Sequence, residues 1–437
     1  MNVADSQRLE SAFEKLGLES TSRAADADVI VLNTCVVRQS AEDKAYSYLQ
    51  SLRPLKDKRP ETVIGLMGCL VGIKNNGKLR ERFPWVDVLA PPSDPKPVVD
   101  FIRNREGLAV EELQVAERFA AQDAEIVLPL HQRGRLVAAH VPVVLGCSHA
   151  CTFCIIPFRR GVERSRSVAD IMTEARSLVS QGVKEITLLG QIVDRYGYDL
   201  QPPISNLQFQ SKTPLVDVLR LLNDMDGLER IRFLTSHPNW MTDELLDAVA
   251  GLPKVCEHIE VPMQAGDDEL LAQMKRGYTA DDSRRLVEHI RRKLPQGGSI
   301  ATDIIVGFPG ETEKQFQATY DLLVDLRLDV AHVAKYSPRP QTVAQRMLPD
   351  DVPPEEKERR RQAIEDLQER VVGEINARFL HQTVEVLVED QHKDKWRGRT
   401  RTNKLVFFED ERDWRGRLAS VRITWTGPWS MQGTVGA

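Results

Sequence analysis

The chain has 437 residues, with 59 basic against 64 acidic side chains and 41% apolar residues, which excludes a disordered tail and a coiled coil and fits a globular protein of two or three domains. No apolar run approaches the roughly 20 residues that cross a bilayer, and the polar start "MNVADSQRLE" lacks the basic-then-apolar layout of a secretory leader, so a cytosolic location with no membrane partner is expected. Six cysteines (Cys35, Cys69, Cys147, Cys151, Cys154 and Cys256) are too sparse for a disulfide scaffold, which leaves metal ligation or ordinary core packing.

From Asp5 to about Phe101, helix-like and strand-like pieces alternate. The helical stretch "SQRLESAFEKLG" ends in Gly17; "DVIVLNTC" reads as a strand, "SAEDKAYSYLQSL" as a helix and "TVIGLMGCL" as a second strand. This is the rhythm of a small parallel α/β sheet, and Cys35 and Cys69 fall at the carboxyl ends of its strands, where such sheets gather function. The loop-like "APPSDPKP" and the acidic "EGLAVEELQVAERFAAQDAE" lead to the next domain.

From about Gly134 to Ser337, strand candidates recur at "LVAAHVPVVLG", "KEITLLGQ", "RIRFLTS", "CEHIEVP", "SIATDIIVGF" and "DVAHVAKYS", with helical patterns such as "SVADIMTEARSLVSQG" between them. Six strand-plus-helix units in series predict a partial (β/α)6 barrel with its chemistry at the carboxyl ends of the strands. A helix opening with "PPEEKERRRQ" carries Ile364, Leu367, Val371, Ile375 and Phe379 on about one face and is expected to pack back on the barrel. The runs "TVEVLVED", "KLVFFED" and "LASVRITWT" then predict a small β-barrel. The expected fold is α/β, with domains at 1–105, 133–373 and 376–437.

The strongest chemical signal is "GCSHACTFCIIPFRRG", in which Cys147, Cys151 and Cys154 are separated by three and then two residues. Three thiolates on one loop can hold three irons of a 4Fe-4S cluster and leave the fourth open. A structural zinc site, closed by His149, is the competing use of the same loop. No GxSxG and no GxxxxGK[ST] occurs, so neither a hydrolase triad nor a phosphate loop is supported.

The CxxxCxxC pattern, with Phe153 before its last cysteine at the end of the first strand of a partial barrel, resembles the radical S-adenosylmethionine (SAM) superfamily. "CIIPFRRGVERSRS", "EITLLGQIVDRYG", "TSHP", "LPKVCEHIEVPMQAGDD", "MKRGYT", "TDIIVGFPGET" and "KYSPRP", in that order, narrow the likeness to the methylthiotransferases. "MNVADSQRLE", "LNTCVVRQSAEDKAYSYL", "SRS" after "GVER", and "GRTRTNKLVFF" are similar to the branch that adds a methylthio group to carbon-2 of N6-isopentenyladenosine at position 37 of tRNA. The other branches modify threonylcarbamoyl-adenosine in tRNA or an aspartate of a ribosomal protein. From outside the family, the rival is a non-catalytic RNA-binding protein with a structural metal.

The resemblance implies a catalytic 4Fe-4S cluster on Cys147, Cys151 and Cys154, SAM as cosubstrate, tRNA as partner, a reductant such as flavodoxin or ferredoxin, and a monomer. It implies a second, auxiliary cluster held by three cysteines of the N-terminal domain. Cys35 and Cys69 match two of them, and the first would precede Met1-Asn2; a start assigned late or a trimmed chain is the expected reason, and loss of sulfur insertion the other. Without the resemblance, Cys35 and Cys69 read equally as small core residues.

In "DIIVGFPGET", Gly307 and Gly310 follow an apolar strand, where backbone can approach a ligand and a helix start presents free N–H groups; a tight strand-to-helix turn would look the same. Gln191, Ser236, His237 and Gln264 fall at expected carboxyl ends of strands, and the likeness places them near SAM or substrate; singly, each reads equally as a polar residue bonding loop backbone. Cys256 is expected to pack. Residues 393–404, "KDKWRGRTRTNK", hold Lys393, Lys395, Arg397, Arg399, Arg401 and Lys404 against Asp394 alone, with Trp396 among them. Cations for phosphates and a plane for base stacking would suit RNA, and the likeness makes this module a TRAM domain; a solvated basic sheet edge is the bland alternative. Arg159, Arg160, Arg164 and Arg166 beside the cysteine loop would either steer RNA or pair with carboxylates.

Overall fold

The alternation read in the first hundred residues becomes three parallel strands in a computed structural model that describes residues 1–37, 39–73, 77–105, 128–200, 209–295 and 298–436. The chain divides into one unit of residues 1–133, 140–149 and 154–181 and another of residues 134–139, 150–153 and 182–437. The acidic connector "EGLAVEELQVAERFAAQDAE" lies outside the described residues.

In the first unit, β1 (Val29–Thr34), β2 (Val63–Gly68) and β3 (Val88–Ala90) form a sheet in that order, with parallel pairing throughout. β2 is buried along its whole length. Its side chains alternate: Ile64 and Leu66 join Leu49, Leu52 and Phe83 on one face, and Val63 and Met67 join Leu9, Val98 and Ile102 on the other. Helices thus cover both faces. The helix expected from Ser6 begins at Asn2 and ends at Lys15, followed by Gly17 at φ 82°. "APPSDPKP" is not all loop, since it starts in β3 and ends in the helix Lys96–Arg105, where prolines suit a first turn.

The run "LVAAHVPVVLG", expected as one strand, breaks at Val143 into β4 (Ala138–Pro142) and β5 (Val144–Leu145). β5 pairs antiparallel with β6 (Arg164–Ser165). Gly146 stands at φ 70° where a Cβ would lie 2.2 Å from the Val162 carbonyl oxygen, so only glycine fits this turn into the cysteine loop.

In the second unit, β7 (Glu185–Leu189), β8 (Arg230–Leu234), β9 (His258–Glu260), β10 (Ser299–Val306) and β11 (Val330–Lys335) follow β4, of which residues 138–139 belong to this unit. Two sheets result, ordered β4-β7-β8 and β9-β10-β11, and a parallel bridge from Ile231 to Val255 joins them into an incomplete barrel. The helix Pro354–Ala377 packs on it through buried Ile364, Leu367 and Val371. Ile375 is half-buried, and Phe379 enters the core of the next module.

That module is a closed barrel of β12 (Thr383–His392), β13 (Lys395–Thr400), β14 (Leu405–Phe408), β15 (Leu418–Thr426) and β16 (Met431–Val435), in the order β12-β13-β14-β16-β15. β13, the basic stretch, was not expected as a strand. It buries alternate residues, Trp396, Gly398 and Thr400, and turns its cations outward. A Cβ on Gly398 would lie 2.1 Å from the Leu387 carbonyl oxygen. Gly398→Ala must therefore shift one strand, at a cost of about 1–3 kcal/mol, read as a lowered melting temperature.

The turn after β13 closes the amino end of the incomplete barrel. Arg230 and Arg232, almost fully buried, donate to the carbonyl oxygens of Arg399 at 2.5 Å and of Thr400 and Arg401 at 2.8 Å. They also pair with Glu385 at 2.9 Å and Glu185 at 3.0 Å, which offsets the desolvation of two guanidinium groups. Burial, and then the nearby Arg232, Lys404 and Arg399, depress His258 to about 3 and keep it neutral. Asn403 Nδ2 lies 3.3 Å from His258 Nε2, so Nε2 accepts and the Nδ1 proton goes to Ser299 Oγ at 2.7 Å; Ser299 donates on to the Thr402 carbonyl at 2.9 Å.

Candidate active site

Each cysteine of the loop has its own surroundings. In the first unit, Cys147 is buried and Cys154 half-buried. The Cys147 N–H donates to the Gly161 carbonyl at 3.0 Å, and the His149 N–H donates to Cys147 Sγ at 3.4 Å.

In the second unit, the loop is clamped on both sides of Cys151. Thr152 donates its N–H to Met274 O at 3.2 Å and its hydroxyl to Gln273 O at 2.8 Å, and its carbonyl accepts from Ala344. Phe153 packs with Leu270, Phe308 and Tyr336. Arg276, 5% exposed, donates from Nη1 to Cys151 Sγ at 3.1 Å, from Nη2 to Pro262 O at 2.9 Å and from Nε to Tyr278 Oη at 2.8 Å. Burial pushes Tyr278 up to about 12, so it stays neutral. No carboxylate among the described residues is hydrogen-bonded to Arg276. A buried guanidinium must be hydrogen-bonded, and of its three acceptors the Cys151 sulfur is the one that can also ligate a metal. The donor set therefore fits a thiolate-bound iron–sulfur cluster. Arg276 went unnoticed in the sequence, where it was one letter of "MKRGYT".

Cys35 and Cys69 lie side by side: β1 and β2 pair Thr34 with Gly68, and the next residue on each strand is the cysteine. Cys35 is exposed and Cys69 buried. Burial raises the Cys69 thiol, while Arg160, hydrogen-bonded to it, acts in the opposite sense. Arg160 also binds Asn2 Oδ1 at 2.8 Å and Ser93 Oγ at 3.2 Å. Arg166 pairs with the Glu174 carboxylate, so of the four arginines it is the one that follows the carboxylate-pairing alternative, while Arg160 bonds an amide and a hydroxyl.

On the strand ends of the second unit, Gln191 follows β7, half-buried. Ser236 is 2% exposed, and its hydroxyl has no partner among the described residues. His237, 1% exposed, receives the Asn239 N–H at Nδ1, and its backbone N–H donates to Asp194 Oδ2 at 3.0 Å. Gln264 holds a left-handed φ of 74°, costly for a non-glycine residue, and is fixed by Asp303 O and the Ile305 N–H. Gly307 and Gly310 differ from expectation. Their N–H groups are not free: Glu311 takes the first at 2.5 Å and Asp351 the second at 2.7 Å. Lys357 lies where a Gly307 Cβ would be, and Thr312 caps the following helix in a capping box with Gln315. These glycines thus make the tight strand-to-helix turn. The sequence reading also missed Glu260, which pairs in register with Ala301, two residues from Asp303 on the same face. Burial and then Asp303 raise its carboxyl to about 7. Cys256 is buried, as expected.

In the basic stretch 393–404, the indole and most of the cations already have partners within the chain. Trp396 is 4% exposed inside the small barrel, its Nε1 bonded to Asp410 O at 3.1 Å. Arg397 is held by Asp390 at 2.6 Å, Lys395 by Glu409 at 3.1 Å, Arg401 by Glu257 at 2.7 Å and Lys404 by Asp329 at 2.7 Å. Strand alternation sends the indole inward and Lys395 and Arg397 outward, while Arg401 and Lys404 lie in the turn beyond β13.

Comparison with known proteins places these features in context. Residues 141–323 match the radical SAM superfamily, residues 1–91 the uncharacterized protein family UPF0004, and residues 377–435 the TRAM domain. A tRNA-2-methylthio-N(6)-dimethylallyladenosine synthase of Roseiflexus sp. is 48% identical over 100% of this chain and 87% of its own. The synthase of the same name from Dehalococcoides mccartyi strain CBDB1 is 45% identical over 99% of this chain and 95% of its own, and that of Herpetosiphon aurantiacus is 44% identical over 100% and 95%. With that likeness running through all its domains, the chain belongs to the tRNA-2-methylthio-N(6)-dimethylallyladenosine synthase family of the radical SAM superfamily.

Proposed function

We propose that this protein is a radical SAM methylthiotransferase that adds a methylthio group to carbon-2 of N6-isopentenyladenosine at position 37 of tRNA, with Cys147, Cys151 and Cys154 as ligands of its catalytic 4Fe-4S cluster. The observation that carries the reading is the buried Arg276 guanidinium that donates to Cys151 Sγ, an outer partner for one cysteine of the three-cysteine loop. When bound, such a cluster with SAM supplies an electron and a 5′-deoxyadenosyl radical for hydrogen abstraction. The chain's own residues hold and shield. Tyr278 fixes Arg276, Arg276 balances the charge at Cys151, and Thr152 anchors the loop between two segments of the second unit. Gln191, Ser236, His237 and Gln264 are the proposed contacts to SAM or substrate at the strand ends; Gly307 and Gly310 contribute the turn beneath them. Cys35 and Cys69, with Arg160 beside them, are two proposed ligands of an auxiliary cluster that delivers sulfur. A flavodoxin or ferredoxin as electron donor, a monomeric state and a cytosolic location complete the proposal.

The test is mass spectrometry of tRNA nucleosides from a strain lacking the gene. The 2-methylthio-N6-isopentenyladenosine signal is expected to vanish and N6-isopentenyladenosine to accumulate. Loss of a methylthio-aspartate from a ribosomal protein instead, with the nucleosides unchanged, would refute the assignment.

A further inference from the structure

Two of the six tryptophans are exposed, and both sit on one hairpin of the small barrel: Trp425 on β15 at 49% and Trp429 in the turn to β16 at 62%. Tryptophan is rarely left this open without a use. The turn that carries them is also held. The Asn376 carboxamide, 2% exposed, donates to the carbonyls of Gly427 and Pro428 at 2.8 and 3.1 Å, and the Gly427 N–H bonds to Ser430 O at 2.9 Å. A Cβ on Gly427 would lie 2.5 Å from the Trp425 ring, so glycine there lets the indole lie against the turn. A register shift between Ile423 and Trp425 re-aims the strand at this point.

Within the hairpin's own sequence the charge has one sign; on the adjoining strand β12, Glu385 stands opposite Ser420, two residues from Arg422, and is paired with Arg230. Residues 414–437 contain Arg415, Arg417 and Arg422 and no acidic residue. Arg422 is exposed on β15, and its side chain has no ion-pair partner among the described residues. In 393–404, by contrast, carboxylates hold most of the cations.

We propose that the β15–β16 hairpin is the RNA-contacting face of this module: Trp425 and Trp429 stack on unpaired bases of the tRNA, and Arg422 meets the adjoining phosphates. Flat apolar rings beside an arginine without an ion-pair partner among the described residues, with the one neighbouring carboxylate of β12 already paired to Arg230, are what single-stranded nucleotides require. This rests on the reading of tRNA as substrate and assigns the residues that hold it.

The experiment uses the anaerobically reconstituted full-length enzyme and tRNA carrying N6-isopentenyladenosine. Replacing both residues by leucine (Trp425→Leu with Trp429→Leu) keeps apolar area but removes the aromatic planes, and is expected to weaken tRNA binding roughly tenfold to a hundredfold. The pair Trp425→Phe with Trp429→Phe is expected to recover most of that loss. Release of 5′-deoxyadenosine without tRNA should be the same in all three proteins, and tRNA should quench tryptophan emission only where both indoles are present. An unchanged dissociation constant in the leucine pair, with wild type binding tRNA, overturns the proposal and leaves the methylthiotransferase reading standing. If the leucine pair turns a dimer into a monomer at intact tRNA affinity, the face joins copies of the chain and the proposal also fails. A wild type that does not bind tRNA overturns both.

Discussion

Alanine at Cys151 reduces release of 5′-deoxyadenosine from SAM to the level of a protein-free blank. The expectation follows from the thiolate's two commitments, to a metal cluster proposed on the basis of the Cys147, Cys151 and Cys154 spacing and to the buried Arg276 guanidinium. Removing the thiolate takes away one of three ligands and leaves a desolvated cation unmatched, so the loop loses both chemistry and local stability; unpaired buried charges of this kind cost about 3–5 kcal/mol. The control is Cys256→Ala. That thiol is buried too, yet it is expected only to pack, so SAM cleavage should persist with a modest loss of melting temperature. Release of 5′-deoxyadenosine by the Cys151→Ala protein at the native rate would refute the assignment of the cluster to this loop.

Arg276→Met should cut SAM cleavage about tenfold to a hundredfold, the usual range for outer partners of metal ligands. The change removes the donor to Cys151 Sγ and also those to Pro262 O and Tyr278 Oη, so a fall in melting temperature accompanies it. Arg276→Lys separates the two effects: it retains the charge but not the planar fork that reaches three acceptors at once. Recovery of cleavage by lysine without recovery of melting temperature identifies charge as the contribution to chemistry. If the methionine variant is folded and cleaves SAM at the native rate, the argument from the buried cation is wrong.

Much of the frame was legible because it rests on period and spacing. The six strands of the incomplete barrel announced themselves as β-branched runs, and Cys147, Cys151 and Cys154 by their intervals. What stayed hidden depends on partners distant in sequence. Arg276 acquires its meaning from Cys151, 125 residues away, and no local pattern records that pairing. β13 was missed because Gly398 and outward cations blur its alternation, and β16 because it is short and Gly433 at its centre weakens its strand signal. Trp396 misled for the same reason: composition put an indole among cations, and only the register shows that it faces inward. Gly307 and Gly310 were read for close approach to a ligand, with a tight turn as the look-alike, and the local pattern could not show that Glu311 and Asp351 already occupy their amides.

Arg230 and Arg232 reach across to carbonyl oxygens of Arg399, Thr400 and Arg401, and so the limit at residue 377, where the TRAM match begins, is no seam in the molecule. Truncating the chain there would uncork the catalytic cylinder from below and strand two guanidinium groups in water without their acceptors. A chimera that borrows this module from another protein inherits a floor rather than an accessory, and will assemble only if the donor's turn offers oxygens at matching heights. Evolution has, on this view, welded the reader of the nucleic acid to the vessel in which the radical is made.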